Sequence, residues 1–87
     1  MFFVYVLESI TRKRYYTGCI ANLNQRLMQH NLGKIKSTKS FRPWKLVYVE
    51  RIENRSAAFK REKVIKSYKS GEAFKKLIEK TESWQSG

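Results

Sequence analysis

Aspartate is absent from this sequence, because all seven acidic residues among its 87 are glutamates. A Walker B aspartate, a Ser-His-Asp triad and an EF-hand loop are therefore excluded. One cysteine and one histidine permit neither an internal disulfide nor a zinc knuckle, and they suit a reducing compartment. The longest apolar run, residues 2–7, is far too short to span a membrane. We expect a cytoplasmic protein with no membrane partner.

Positive charge is in large excess. Nineteen lysines and arginines against seven glutamates give a net charge of +12 at pH 7. Such a surplus on one small domain attracts polyanions, and nucleic acid is the most common of them. Lysines that only keep the protein soluble are the simpler alternative. Basicity alone does not separate the binding of nucleic acid from its cleavage.

The patterns of apolar residues and turn formers predict one domain at residues 1–80 and a flexible tail at 81–87. The fold class is α/β, a small three-stranded, mainly antiparallel sheet flanked by helices in the order β-β-α-β-α-α. Residues 1–7 are predicted to form a central strand, with 14–17 as a hairpin partner that Gly18 ends. A third strand is expected at 44–50. Helices are expected from the Asn22 cap to 32, from Asn54 or Ser56 to 69, and at 72–80.

The first predicted helix carries two polar side chains on its apolar face. At about 100° of rotation per residue, Arg26 and His30 share a stripe with Leu23 and Leu27. An arginine that extends past the core edge and a histidine bonded to backbone would explain them without function. For the pair together, a structural and a functional role are equally consistent with the pattern.

The second predicted helix shows the same conflict at Glu62, which shares a face with Ala58 and Ile65. Glutamate is rarely buried unless it is paired or bound to a cation. An exposed ion pair with Lys66 is the simpler interpretation. The position of Glu62 on the inward stripe favours a working carboxylate.

The predicted hairpin contributes the tyrosines Tyr5, Tyr15 and Tyr16. Cross-strand aromatic pairs commonly stabilise sheets, which is the default interpretation of each ring. Because successive side chains alternate between faces, only one of Tyr15 and Tyr16 can face the first helix. The sequence leaves open which of them does.

These residues resemble the paired motif of the GIY-YIG nuclease domain. The triplets Phe3-Val4-Tyr5 and Tyr16-Thr17-Gly18 place their tyrosines eleven residues apart, and Arg26 follows ten residues after the second. Glu62 completes the pattern. The resemblance covers residues 1–80 and is greatest to the short stand-alone bacterial members of the family.

The resemblance implies a metal-dependent endonuclease that hydrolyses phosphodiester bonds in DNA. Tyr16 corresponds to the tyrosine that acts as general base on the attacking water, and Tyr5 to one that assists the nucleophile or positions the phosphate. Arg26 corresponds to the arginine that steadies the phosphate, and His30 to a histidine near the nucleophile. Glu62 corresponds to the glutamate that holds a single divalent metal, Mg²⁺ or Mn²⁺.

The basic loop after the first helix is expected to follow the DNA backbone without reading its sequence, through Lys34, Lys36, Lys39 and Arg42. The expected partner is DNA, including branched or single-stranded forms, with a role in repair or recombination. A non-catalytic or weakly active nucleic-acid-binding module of the same fold is one alternative, and an interaction domain in a larger nuclease or repair complex is another. The inward Glu62 favours the enzyme, because it would repel phosphate unless a cation lay between them.

Three positions depart from the family pattern. Thr17 replaces the usual branched apolar residue of the second triplet, a change common in the short members. Cys19 stands where some relatives have a lysine, so any help from that cation must come from elsewhere. Phe74 stands where some relatives have an asparagine, which puts a secondary phosphate contact in doubt. None of the three changes removes Tyr5, Tyr16, Arg26 or Glu62.

Overall fold

A computed structural model describes residues 1–69 and 71–86, with side chains as far as Glu79. The strands are β1 (Phe2–Ser9), β2 (Tyr15–Ile20) and β3 (Trp44–Ile52). The helices are α1 (Leu23–Asn31), α2 (Arg55–Ser67) and α3 (Glu72–Ser86), with a short 3₁₀ helix at Lys39–Phe41. The predicted α/β fold class and the element order β-β-α-β-α-α are confirmed. None of the described helices is both long and apolar enough to cross a membrane.

The sheet has the order β2-β1-β3 and is antiparallel throughout. The predicted central position of β1 is confirmed, because its residues 4–7 are at most 1% exposed. Its side chains alternate between two apolar clusters, one on each face. Tyr5 and Leu7 belong to the cluster that includes Leu23 and Leu27 of α1. Val4 and Val6 pack on the other face, in the cluster formed with α2 and α3.

The strands are longer than the sequence predicted. Gly18 was expected to end the second strand, but β2 continues to Ile20 because Gly18 stays in register opposite Tyr5. Likewise β1 extends to Ser9 and β3 to Ile52, since pairing between these two strands continues over that length. The glycine therefore has a role inside the sheet.

Asparagine caps begin both α1 and α2. The Asn22 side-chain oxygen accepts a hydrogen bond from Gln25 N at 3.1 Å, as the sequence pattern predicted. Asn54 accepts from Ala57 N at 2.8 Å, so Asn54 rather than Ser56 caps α2. Gly33 has a φ of +77°, and it follows the last turn of α1 in the left-handed conformation that glycine tolerates.

The ends of the later helices differ from expectation. α2 stops at Ser67 rather than at 69, and α3 continues to Ser86, so the predicted helix end at 80 is wrong. Gly87 lies outside the described residues. The flexibility expected of residues 81–87 stays a prediction. The loop expected at residues 33–42 contains the 3₁₀ turn as its one short regular element.

Candidate active site

Tyr5, Tyr16 and His30 lie together on the sheet face that α1 covers. Tyr5 Oη is 3.2 Å from His30 Nε2. The ring centres of Tyr16 and His30 are 4.8 Å apart, and those of Tyr5 and Tyr16 are 6.2 Å apart. Tyr15 points to the opposite face, where its ring lies 4.9 Å from Phe74. Of Tyr15 and Tyr16, Tyr16 is therefore the one that faces α1.

Gly18 provides the space in which the Tyr5 hydroxyl lies. It is the cross-strand partner of Tyr5. A Cβ atom at this position would lie 2.7 Å from Tyr5 Oη and 3.0 Å from Tyr16 Cε1. Any side chain here would have to displace one or both tyrosines. Close approach, rather than an unusual backbone conformation, explains the glycine.

A chain of hydrogen bonds fixes the protons around His30. His30 is fully buried, and its Nδ1 lies 2.8 Å from Thr38 Oγ1, which in turn lies 3.4 Å from the Ile35 carbonyl oxygen. Because a carbonyl only accepts, the Thr38 hydroxyl donates to it and accepts from His30 Nδ1–H. This assignment from the network leaves His30 Nε2 as the acceptor for the Tyr5 hydroxyl.

Burial controls the charge of these groups. It lowers the pKa of His30 to about 4, with a smaller contribution from the positive charge of Arg26. It also raises the pKa of Tyr5 above its usual range, assisted by Tyr16 and opposed by Arg26. At neutral pH His30 is uncharged and Tyr5 keeps its proton. The Tyr5 proton points to His30, and the oxygen faces the Arg26 side chain, which donates a hydrogen bond to it.

Arg26 lies half-buried on α1, one turn before His30. Its Nη1 donates to Gln29 Oε1 at 3.3 Å. The side chain borders a cleft of about 310 Å³ between the start of α1 and the end of β2. A guanidinium with donors in a planar fork suits a phosphate placed in this cleft.

Glu62 approaches from α2, between the buried residues Ala58 and Ile65. Its side chain is only 16% exposed, and Lys66 Nζ donates to its Oε2 at 2.7 Å, so the ion pair that the spacing allowed is present. The Cys19 thiol is its other partner. Burial, that hydrogen bond and the charge of Glu62 together raise the pKa of Cys19 to about 11. The same charge acts on the Tyr5 hydroxyl and contributes to its raised pKa.

A metal ion could be held here only in part by the protein. Among the side chains described, no three His, Cys, Asp or Glu groups converge on one point. Glu62 offers the hard oxygen ligand that Mg²⁺ prefers, and Mg²⁺ commonly keeps waters and substrate phosphates as its remaining ligands. The Lys66 side chain is 56% exposed and can turn to solvent. Glu62 thus fits a metal ion shared with a phosphate, but no site made of protein ligands alone.

Three residues outside the predicted site hold it together. Asn31 Oδ1 accepts from Trp44 N at 2.6 Å, and Asn31 Nδ2 donates to Trp44 O at 3.1 Å. Trp44 Nε1 donates to Thr38 O at 2.9 Å. These bonds join α1, the basic loop and β3. Nothing in the spacing of the sequence indicates them, because the loop that connects the partners is irregular.

The remaining predicted residues lie away from the tyrosines. The loop cations are exposed and project from the segment that carries Thr38: Lys34, Lys36, Lys39 and Arg42. Their contact with a nucleic acid stays a prediction. Phe74 is 5% exposed in the cluster beneath α2 and α3, so it has become a core residue.

Comparison with known proteins identifies the family to which this fold belongs. The family model of the GIY-YIG catalytic domain matches residues 1–77, and the chain belongs to the GIY-YIG family, a family of nucleases. It is similar to a UPF0213 protein of Syntrophus aciditrophicus, with 44% identity over 72 residues that cover 80% of this chain and 82% of the relative. A UPF0213 protein of Staphylococcus epidermidis is 40% identical over 78 residues, covering 88% and 94%.

A solved structure agrees with the fold. The solution NMR structure of the UPF0213 protein BH0048 from Bacillus halodurans superposes with a TM-score of 0.56 at 27% identity. The superposition covers 91% of this chain and 84% of that one.

Proposed function

We propose that this protein is a metal-dependent DNA endonuclease that uses a tyrosine as general base and one divalent metal ion. The observation that supports it best is the convergence of Tyr5, Tyr16 and His30 beside Arg26, around a glycine whose missing side chain makes room for a hydroxyl. These groups come from three separate elements. Binding of nucleic acid does not by itself require a buried, hydrogen-bonded tyrosine and histidine beside an arginine.

Each residue then has a definite task. Tyr16 acts as the general base in its phenolate form: its Oη takes the proton of the attacking water and becomes a neutral phenol. Arg26 neutralises the phosphate that is attacked. Tyr5, whose proton points to His30, accepts a hydrogen bond from the water and orients it. His30 stays neutral and holds the Tyr5 ring in place.

Glu62 would hold the metal ion jointly with the phosphate. When bound, the ion stabilises negative charge on the leaving oxygen, as either Mg²⁺ or Mn²⁺ can. The carboxylate is suited to this because its charge acts on Tyr5 and its partner Lys66 is exposed. The exposed loop cations Lys34 and Lys36 are suited to contact the DNA backbone outside the site.

The ion pair between Glu62 and Lys66 favours a second candidate function. A glutamate kept in that pair would not bind a metal ion, and the domain would then be a nucleic-acid-binding module with little or no activity. The two functions differ in one measurable respect. Removing the negative charge of Glu62 abolishes cleavage by an enzyme, but it leaves binding by a module unchanged or tighter.

The experiment that tests the proposal is incubation of purified protein with supercoiled plasmid and with branched DNA in Mg²⁺ or Mn²⁺. We expect nicking that requires the metal and falls at least 100-fold in Tyr16→Phe and in Glu62→Gln, in line with typical losses of acid–base and electrostatic catalysis.

Two matched variants serve as controls. Tyr15→Phe removes the neighbouring phenol on the opposite face, and Glu53→Gln removes an exposed carboxylate just before α2. Both should cut like the unmodified protein. DNA that is bound but uncut by the unmodified protein, with binding unaffected in Glu62→Gln, would replace the enzyme by the binding module.

A further inference from the structure

The turn between β1 and β2 is a strongly basic element outside the candidate active site. It carries Arg12, Lys13 and Arg14 in succession, all exposed. Beside it, Lys45 of β3 borders the same cleft of about 360 Å³. Four cations are thereby brought together from two separate stretches of sequence.

The turn is fixed against the basic loop. Ser9 Oγ donates to the Phe41 carbonyl at 2.5 Å, and Ile10 N donates to the Pro43 carbonyl at 3.0 Å. The guanidinium carbons of Arg12 and Arg14 lie 5.5 and 5.0 Å from the centre of the Phe41 ring. The turn and the loop therefore form one surface, with Phe41 beneath the two arginines.

Ring contacts through the buried side chain of Trp44 connect this surface to the candidate active site. The ring centres of Phe41 and Trp44 are 6.4 Å apart, and those of Trp44 and Tyr16 are 6.5 Å apart. Arg14 precedes Tyr16 by two residues, a separation of about 7 Å at the rise of a strand.

The cations of this surface form no ion pair with a carboxylate among the residues whose side chains are described. In the part of the chain whose side chains are described, both ion pairs involve α2, Arg61 with Glu50 and Lys66 with Glu62. The turn cations have no carboxylate partner among these residues. Glu8, the one acidic residue bordering the cleft, lies opposite Lys45 on the neighbouring strand without forming an ion pair with it, and it accepts a hydrogen bond from the Tyr15 hydroxyl.

We infer that Arg12, Lys13, Arg14 and Lys45 form a second phosphate-binding surface, which holds the nucleic-acid backbone next to the phosphate at Tyr16. The inference deepens the proposed function and depends on it for the nature of the partner. Cations that form no ion pair and lie close to a candidate cleavage site favour a repeating phosphate chain over an acidic protein. The surface contributes binding affinity and fixes the position of the nucleic-acid strand relative to Tyr16. The residues around His30 perform the chemistry.

The test is binding of a fluorescein-labelled 20-base-pair duplex, and of its single strand, followed by anisotropy at several salt concentrations in EDTA. EDTA prevents cleavage, so a failure of the nuclease proposal does not affect the measurement. The variant is Lys13→Gln/Lys45→Gln, which leaves the arginine contacts with Phe41 intact. The matched control is Lys75→Gln/Lys76→Gln on α3, which removes the same two charges elsewhere.

We expect the affinity of Lys13→Gln/Lys45→Gln to fall at least 10-fold at low salt. Each phosphate that the variant no longer neutralises should reduce the slope of log K against log salt by about 0.9 on the duplex. The α3 control should weaken less than 3-fold and keep its slope. Equal weakening of both variants would assign the effect to net charge and overturn the inference, as would unchanged affinity in both. Arg12→Gln provides an independent check, and it should weaken binding without changing the melting temperature by more than a few degrees.

Discussion

The hydroxyl of Thr38 controls the proton on His30, and replacing it should have a measurable cost. Thr38→Val keeps the shape of a side chain that is 2% exposed, but it removes the acceptor of the 2.8 Å bond from His30 Nδ1. The buried N–H is then left without a partner, or the proton moves to Nε2 and the Tyr5 hydroxyl loses its acceptor instead. Leaving one buried polar group unsatisfied costs about 1–3 kcal/mol. In a domain of this size each kcal/mol lowers Tm by about 4–8 °C.

Urea denaturation followed by circular dichroism measures this cost, and Thr38→Ser is the matched control. The serine keeps the hydroxyl and loses a methyl group, worth about 0.8 kcal/mol. Because His30 is the only histidine in the sequence, its ring nitrogens can also be observed without ambiguity by NMR. We expect the Nδ1–H tautomer in the unmodified protein and in Thr38→Ser, and its loss in Thr38→Val. The proton assignment would be refuted if Thr38→Val were as stable as Thr38→Ser, or if the unmodified protein had the Nε2–H tautomer.

The pKa values and the close packing at Gly18 lead to three further expectations. Because the pKa of His30 is about 4 in the folded protein and 6.5 ordinarily, the unfolded chain takes up its proton first as the pH falls. Stability present above pH 6.5 should therefore decrease by about 3 kcal/mol towards pH 4, at 1.36 kcal/mol for each pH unit, and chemical denaturation of His30→Gln should show a flatter profile. Gly18→Ala should lower both stability and nuclease activity, because its Cβ would lie 2.7 Å from Tyr5 Oη; a melting temperature equal to that of the unmodified protein would contradict this. Cys19, with its pKa raised to about 11, should react slowly with iodoacetamide at pH 8, and Glu62→Gln should speed the reaction by removing the charge that opposes the thiolate.

Local patterns predicted the elements well wherever the cause of an element was local. The Asn22 cap, the break at Gly33 and the central strand with apolar residues throughout were predicted correctly because each depends on neighbouring residues. The end of β2 was predicted wrongly at Gly18. A glycine commonly ends a strand, but Gly18 stays inside β2 because it pairs with Tyr5 on the neighbouring strand. The end of α3 was predicted too early because few local signals mark the end of this helix.

The sequence by itself also selected the residues of the candidate site. Spacing placed Arg26 and His30 on one helical stripe and Glu62 on another, and the tyrosine triplets resembled those of a known family. These inferences need only the rotation per residue of a helix and the order of motifs along the chain.

Tertiary structure decided how those residues meet and which state each is in. It places Tyr16 and not Tyr15 on the sheet face that α1 covers, because the register of β2 against β1 fixes which side chains lie on each face. It brought Thr38 to His30 and the β1–β2 turn to Phe41, contacts between residues separated by loops of no regular period. The protonation states of His30 and Tyr5 also depend on the tertiary structure, because burial and hydrogen-bond partners exist only once distant segments have packed together.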